Sequence, residues 1–263
     1  KKGNLYLNSN NIIILNKINQ SLVENIFLCI VATSANRRYK LLKGLAKSFK
    51  IKYWLIEKIF LNDLNHLNLF KETTNSKNMY VNLPLRMSSP FKLIQKKLKR
   101  KKFDCRIEGG NWNMASNALH YIDLIKWITN SNVKKIDIYN VKKKFNSKRL
   151  GYKEFYADII INYFNGTILK LYCDNSNNKK ILFKFKSKTF SYDFNKNLLI
   201  YGDKKIKIKC EYQSHITNQL LNNLFKRKKI VITNVKKHLN DNKMFLNSIK
   251  KAGIFKFRSI PIT

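Results

Sequence analysis

Closely spaced cysteines are absent from this sequence, and with them any zinc or redox motif of the C-x-x-C type. Proline and glycine are scarce, at 3 and 8 of 263 residues, and only 15 residues are acidic. The longest apolar run near the start, Ile26 to Ala32, is too short to cross a bilayer, and no signal-peptide pattern is visible. We therefore expect a soluble, cytoplasmic protein with no metal site and with buried free thiols at Cys29, Cys105, Cys173 and Cys210.

The net charge is +38, from 53 Lys and Arg against 15 Asp and Glu. A charge of this size favours nucleic acid or an anionic membrane as a partner. Here, however, the charge is spread along the whole chain, and lysine greatly outnumbers the arginine that phosphate-binding proteins favour. With 44% hydrophobic and 13% aromatic residues, the chain has enough apolar material for real cores. We expect one large or two ordinary domains, and no specific nucleic-acid or membrane partner.

The first part of the chain has the pattern of a strand–helix–strand unit. The apolar run Ile26 to Thr33 has strand length, and the following Ser34-Ala35-Asn36 suits a turn with an N-cap. A segment with helical spacing comes next, and Tyr53 to Ile56 forms a second strand. The strands of such units are parallel, and parallel sheets bind ligands at the carboxyl ends of their strands. Glu57 and Lys58, which follow directly, therefore lie either at the mouth of a site or in an ordinary solvated loop.

Beyond Pro84 the pattern changes. Gly109-Gly110 precedes a predicted buried helix from Trp112 to Ile128, in which His120 and Asp123 lie on one side. Short strands then follow one another, and several of them alternate apolar residues with lysine, as in an antiparallel sheet with one covered face.

Two final helices complete the predicted elements. The sequence thus predicts α/β followed by α+β: an incomplete parallel domain at residues 1–84, then a domain at 85–263 with an open, mostly antiparallel sheet. The last helices of the second domain are expected to pack back on the first.

Taken in order, several short motifs resemble the Gfo/Idh/MocA family of oxidoreductases, and the likeness covers nearly the whole chain. Within that family, the likeness is greatest to members that act on sugars or nucleotide sugars for surface polysaccharides. The motifs are Val-Ala-Thr-Ser-Ala-Asn at 31–36, Leu55-Ile56-Glu57-Lys58, Arg86-x-x-x-Pro90, Gly109-Gly110, Ala118-Leu119-His120-Tyr121-Ile122-Asp123-Leu124 and Tyr212-Gln213-Ser214-His215-Ile216-Thr217.

The resemblance implies a partial Rossmann domain that binds NAD or NADP, and a second domain whose sheet shapes the substrate site and forms a homo-oligomer interface. It implies hydride transfer between the nicotinamide and a carbinol carbon of a sugar or nucleotide sugar. Lys58 and His120 match the family's catalytic residues. The implied cofactor-binding residues are Thr33, Asn36, Glu57, Lys58 and Arg86, and the implied substrate-binding residues are Lys58, Arg86, Ser116, His120 and Asp123.

Elementary chemistry agrees with these roles. Oxidising an alcohol requires a base near the hydroxyl, and both a partly desolvated lysine and a histidine titrate in a useful range. Asp123, one turn from His120, either fixes the imidazole tautomer or serves a purely structural role. Alternatively, Thr33 and Asn36 are only turn and cap residues, and Arg86 pairs with any carboxylate. His120 is then a core histidine whose ring nitrogens are hydrogen-bonded within the fold.

Three departures from the family pattern count against a functioning enzyme. No G-x-G-x-x-G loop occurs, so nothing in the sequence is suited to hold a pyrophosphate, and we expect this chain to be a piece of a longer protein. The proline that follows the family's lysine is Ile59, which removes the ring that makes a cis peptide bond inexpensive. The aspartate four residues before the histidine is Ser116, which is no base. The alternative hypotheses are therefore an inactive family member or decayed fragment that serves as a binding or assembly subunit, and, from charge alone, a nucleic-acid-binding protein.

Overall fold

Three parallel strands form the sheet of the first part of the chain, and the first two belong to the predicted strand–helix–strand unit. The computed structural model describes residues 5–6, 13–14, 24–73, 76–174, 180–185 and 188–263. A separate antiparallel pair consists of β1 (Leu5–Tyr6) and β2 (Ile13–Ile14). The parallel sheet has the order β3–β4–β5, and its elements are β3 (Asn25–Val31), α1 (Arg38–Ser48), β4 (Lys50–Ile56), α2 (Leu64–Thr73) and β5 (Met79–Val81).

The carboxyl half of the central strand β4 is buried. Trp54, Leu55 and Ile56 are 7%, 2% and 0% exposed, which is expected of a strand covered on both faces. Ile56 pairs with Val31 on one side and with Val81 on the other, so all three strands end at the same level. The next residues of the chain therefore emerge together at the carboxyl edge of the sheet.

The loop between β3 and α1 does not form the expected N-cap. The residue before the helix is Arg37, which has a left-handed φ of 63° and makes no side-chain capping bond. The loop N–H groups are bound by side chains from elsewhere in the fold. The Ala35 N–H donates to Thr263 Oγ1 at 3.1 Å, and the Asn36 N–H donates to Tyr152 Oη at 3.2 Å. Tertiary contacts have replaced the local cap.

The second part of the chain is a mixed eight-stranded sheet with helices. Its strand order is β13–β12–β11–β10–β6–β9–β8–β7, and all neighbours are antiparallel except β6 and β9. The predicted fold class is confirmed. The elements are a 3-10 turn (Pro84–Met87), α3 (Ser89–Leu98), β6 (Asp104–Glu108), α4 (Met114–Thr129), β7 (Val133–Asn146), β8 (Lys153–Tyr163), β9 (Ile168–Tyr172), β10 (Lys180–Phe185), β11 (Lys188–Asp193), β12 (Leu198–Tyr201), β13 (Lys204–Lys207), α5 (Gln213–Phe225) and α6 (Val235–Lys251).

Helix α4 is the buried axis of this second part. It packs against β8 and β9, where alternate residues such as Leu169 and Leu171 are fully buried beneath it. The hydroxyl of Tyr163, on β8, donates to the carbonyl of Ile122 at 2.9 Å and satisfies both groups inside the core. A turn at Gly109-Gly110, with φ of 84° and 58°, leads from β6 towards this helix.

The last two helices return to the first sheet. Ile216, Leu220 and Leu224 on α5 form one buried cluster with Leu55 of β4 and Met87 of the 3-10 turn. Helix α6 packs against α2 and β5. Within the described ranges, no helix is long and apolar enough to span a membrane.

Candidate active site

Arg38, at the start of α1, holds the carboxyl ends of β3 and β4 together. Its guanidinium donates to four carbonyl oxygens, which are those of Thr33, Glu57, Ile59 and Phe60. The side chain is 1% exposed, and burial lowers the pKa of Arg38 to about 10, so it stays charged at neutral pH. Sequence reasoning missed this residue, because nothing distinguishes it from the other basic residues of the chain.

Lys58 reaches from the end of β4 across to the second part of the chain. Its ammonium donates to the Ser116 carbonyl at 2.9 Å and to Asn117 Oδ1 at 3.1 Å, both in the first turns of α4. Burial lowers the pKa of Lys58, while the carboxylates of Glu57 and Glu154 oppose the shift. The peptide bond between Lys58 and Ile59 is cis, although Ile59 is not proline.

Glu57 has a different set of partners from its neighbour. Its carboxylate accepts from the Asn82 amide just beyond β5, and the Asn82 carbonyl oxygen accepts from Gln213 Nε2 on α5 at 3.2 Å. Glu57 therefore links the carboxyl ends of β4 and β5 with α5, and it is half-buried. Asn82 and Gln213 add polar groups to the edge of the sheet that the resemblance did not assign.

A cavity of about 250 Å³ lies between the two parts of the chain. Lys58 and Glu57 line it from the first part, and Ser116 and Asn117 line it from α4. Glu154 of β8, which is 2% exposed, also lines the cavity. The cavity thus combines an amine of lowered pKa with buried acceptors, which is a suitable environment for proton transfer.

Glu154 is the second charged residue that sequence reasoning missed. One carboxylate oxygen accepts from the Ala115 N–H at 2.8 Å, and the other accepts from the Ser116 hydroxyl. Burial raises the pKa of Glu154, whereas these hydrogen bonds and Lys58 oppose the shift. In the sequence it lies between Lys153 and Phe155, and only its inward position in a strand whose neighbours are buried could have indicated it.

The other predicted site residues, namely Thr33, Asn36, Arg86, His120 and Asp123, are not among the residues that line this cavity. His120 is half-buried on α4, one turn beyond Ser116 on the same helix face. Thr33 and Asn36 are exposed in the loop after β3, beside the carboxyl end of β4. Their roles, like those of the other assigned residues, stay predictions.

Arg86 and Asp123 form a buried ion pair between the 3-10 turn and α4. The Arg86 Nε and Nη2 groups donate to the two carboxylate oxygens of Asp123, and the acid is 1% exposed. Burial raises the pKa of Asp123, while the charge of Arg86 opposes the shift. Both Asp123 oxygens are thus bound by Arg86, as expected if Asp123 has a structural role. The assignment of Arg86 and Asp123 to ligand binding stays a prediction.

Comparisons with known proteins match the fold and not the sequence. No protein-family model matches the chain, and no curated protein matches it. Among solved structures, a super-repressor mutant of Gal80p from Saccharomyces cerevisiae has a TM-score of 0.66 at 13% identity, covering 87% of this chain and 78% of that one. UDP-N-acetylglucosamine 3-dehydrogenase GnnA from Acidithiobacillus ferrooxidans has a TM-score of 0.61 at 11% identity, covering 89% and 79%.

A dehydrogenase, MviM, from Clostridium difficile has a TM-score of 0.58 at 14% identity, covering 85% of this chain and 78% of that one. These likenesses establish the fold. It is a fold that dehydrogenases and a repressor share, so the chemistry of this chain has to be argued from its own site.

Proposed function

We propose that this chain is a Gfo/Idh/MocA-type oxidoreductase that transfers hydride between NAD or NADP and a carbinol carbon of a sugar or nucleotide sugar. One observation carries the proposal. Lys58, at the carboxyl end of a central parallel strand, places a desolvated amine against α4 across a cavity between the two parts of the chain. Ligands of open parallel sheets bind at this edge, and dehydrogenases are among the solved structures that share the fold.

The chain's own residues supply proton transfer and orientation. When the electron pair of the substrate C–H bond leaves as hydride, the hydroxyl proton passes to the Lys58 amine, which becomes an ammonium. In the reverse direction Lys58 returns the proton to the carbonyl oxygen. The cavity partly excludes water, and burial favours the neutral amine that the oxidation needs. His120, one turn along α4 from Ser116, is proposed as the second proton-transfer group.

The polar residues of the sheet edge fit one half of a dinucleotide. Thr33, Asn36 and Glu57 project at the carboxyl ends of β3 and β4, where a ribose and a nicotinamide ring would find hydroxyl, amide and carboxylate partners. When bound, the nicotinamide supplies the hydride acceptor or donor. Within residues 24–73, no glycine-rich turn follows a strand, so this part of the chain holds no cradle for the pyrophosphate.

The proposal is tested by isotope transfer. The protein is incubated with deuterium-labelled NADH or NADPH and a panel of keto-sugars and nucleotide keto-sugars, and deuterium in the alcohol product is measured by mass spectrometry. Lys58→Met should slow transfer by about 10²–10⁴-fold, because the proton has no acceptor or donor. Lys52→Met, which removes an exposed lysine from the same strand, should leave transfer unchanged. Equal rates for Lys58→Met and the native chain would remove Lys58 from the mechanism.

A second candidate is a binding or assembly subunit without catalysis. Two observations favour it, namely Ser116 in place of the family's aspartate and the fold likeness to a super-repressor mutant of Gal80p. Calorimetric titration with a nucleotide sugar separates the candidates. Saturable binding without isotope transfer in any cofactor and substrate combination favours the subunit, and transfer that depends on Lys58 favours the enzyme.

A further inference from the structure

Glu154 is a buried carboxylate on the wall of the same cavity as Lys58. It is 2% exposed at the start of β8, whereas buried glutamates are rare unless other groups compensate their charge. Ion pairs are found for several acids of the described part of the chain, but the contacts of Glu154 are of another kind. Its two oxygens are bound by the first turn of α4.

This arrangement stabilises a negative charge at a helix N-terminus. The Ala115 N–H donates to one oxygen at 2.8 Å, and it belongs to the first turn of α4, where N–H groups lack partners within the helix. Asn113, the N-cap residue, makes no capping bond with its side chain. Glu154 therefore takes over the capping of α4 from a distant strand. By itself this contact is a structural role.

A second contact connects Glu154 to the amine. The Ser116 hydroxyl donates to Glu154, and the Ser116 carbonyl accepts from Lys58 Nζ at 2.9 Å. One residue thus bridges the carboxylate and the ammonium, with its side chain on one and its backbone on the other. The bridge joins β8, α4 and the end of β4, which are far apart in sequence. A helix cap alone does not require the amine to bind at this residue.

The charges around Lys58 do not all act in the same direction. Glu57 and Glu154 favour its ammonium, whereas Arg149 in the β7–β8 turn and Arg38 on α1 disfavour it, as does burial. Glu57 is already bound by the Asn82 amide and is directed towards β5. Glu154 is the carboxylate joined to Lys58 through a hydrogen-bonded bridge.

We propose that Glu154 is a positioning residue for Lys58. Through the Ser116 hydroxyl it fixes the turn of α4 that receives the amine, and its carboxylate stabilises the ammonium that proton transfer creates. The inference rests on the proposed function for its catalytic meaning, since Lys58 is the proton acceptor there. The property that Glu154 should change is the proton affinity of Lys58, which can be measured without catalytic turnover.

The test measures the pKa of Lys58 directly in the full chain. Competitive acetylation with acetic anhydride between about pH 7 and pH 11, read by mass spectrometry of the Lys58 peptide, titrates this lysine among the others. Glu154→Gln should lower the Lys58 pKa by about one unit, because a nearby negative charge is lost. Glu24→Gln removes the same charge from an exposed pair with Lys50 and should leave the Lys58 pKa in place.

A role confined to capping predicts a different result. Glutamine keeps an oxygen that accepts from the Ala115 N–H, so a mere cap would leave a folded Glu154→Gln protein with an unmoved Lys58 pKa, and that result overturns the proposal. Glu154→Asp keeps the charge but withdraws it by one methylene. Glu154→Asp should lower the Lys58 pKa by less than Glu154→Gln does. It replaces Glu154→Gln in the test if the glutamine variant does not fold. An unmoved pKa in the aspartate variant would then overturn the proposal.

Failure of the proposed function is a separate outcome. If the native chain transfers no hydride, acetylation still reports whether Glu154 controls Lys58. If the chain is active, the limb of the kcat/KM pH profile that belongs to Lys58 should move down by about one unit in Glu154→Gln and return most of the way in Glu154→Asp. A shifted Lys58 pKa with an unshifted limb would remove Lys58 from catalysis while supporting its link to Glu154.

Discussion

Replacing Arg38 by methionine removes the guanidinium that joins the carboxyl ends of β3 and β4, while keeping a stem of similar bulk. Of the four carbonyl oxygens it binds, those of Ile59 and Phe60 are buried, and those of Thr33 and Glu57 are partly buried and open to hydration. A buried carbonyl left without a donor costs about 1–3 kcal/mol, so two of them cost about 2–6 kcal/mol.

Part of that cost is offset, because the variant no longer buries a charge. We therefore expect the free energy of unfolding to fall by about 2–4 kcal/mol, which corresponds to about 5–10 °C in Tm for a chain of this size. The free energy of unfolding of Arg38→Lys should lie between those of the native chain and Arg38→Met. A single ammonium group cannot bind all four carbonyl oxygens that the planar, forked guanidinium binds.

Urea unfolding at pH 7, followed by tryptophan fluorescence and circular dichroism, measures the change. Lys40→Met is the matched control, because Lys40 is exposed on the same helix and loses the same charge. Its free energy of unfolding should stay within about 0.5 kcal/mol of the native value. If Arg38→Met is as stable as Lys40→Met, the guanidinium does not hold the two strand ends, and the account of how Lys58 is placed is wrong.

Three further predictions concern buried polar groups. Arg86→Met should destabilise the fold by about 3–5 kcal/mol, because it leaves the buried Asp123 carboxylate without its cationic partner. The double variant with Asp123→Leu should regain much of this stability, and additive losses in urea titrations would contradict the pairing. Burial lowers the pKa of His238 to about 3, so the unfolded chain binds a proton that the folded one excludes, and stability should fall by up to about 1.4 kcal/mol per unit as pH drops below 6.5. His238→Leu should remove this loss of stability with falling pH. Asp241, whose pKa is raised to about 6, contributes a pH dependence of the opposite sign in both proteins. The same dependence of stability on pH in His238→Leu and in the native chain would refute the role given to His238. Asn234 accepts from the Lys236 N–H at the start of α6, so Asn234→Ala should cost about 1–2 kcal/mol and Asn234→Ser less, and equal thermal shifts for both would exclude a capping role.

Local patterns account for the elements that were predicted correctly. The runs at Ile26 to Thr33 and Tyr53 to Ile56 became β3 and β4, and the segment Trp112 to Ile128 became α4. A buried strand needs a continuous apolar run, and a packed helix needs apolar residues at helical spacing; both patterns are visible in a short stretch of sequence.

The candidate site divides in the same way. Lys58 was identifiable because an apolar strand ends at an acid and a base, and parallel sheets bind ligands at that edge. Arg38 was not identifiable, because its importance lies in four carbonyls contributed by residues up to 22 positions away. Asn82 and Gln213 were missed for the same reason, since they meet across 131 residues of sequence.

The sequence by itself determined the two-part architecture, the parallel direction of β3 and β4, and the position of an amine just after the end of β4. These features follow from apolar periodicity and chain direction, which are local properties. Only the tertiary structure placed β6 beside β9, bound Asp123 to Arg86, and brought Glu154 to the turn of α4 that receives Lys58. Such pairings depend on which buried groups can satisfy one another across the assembled core, and no short stretch of sequence contains that information.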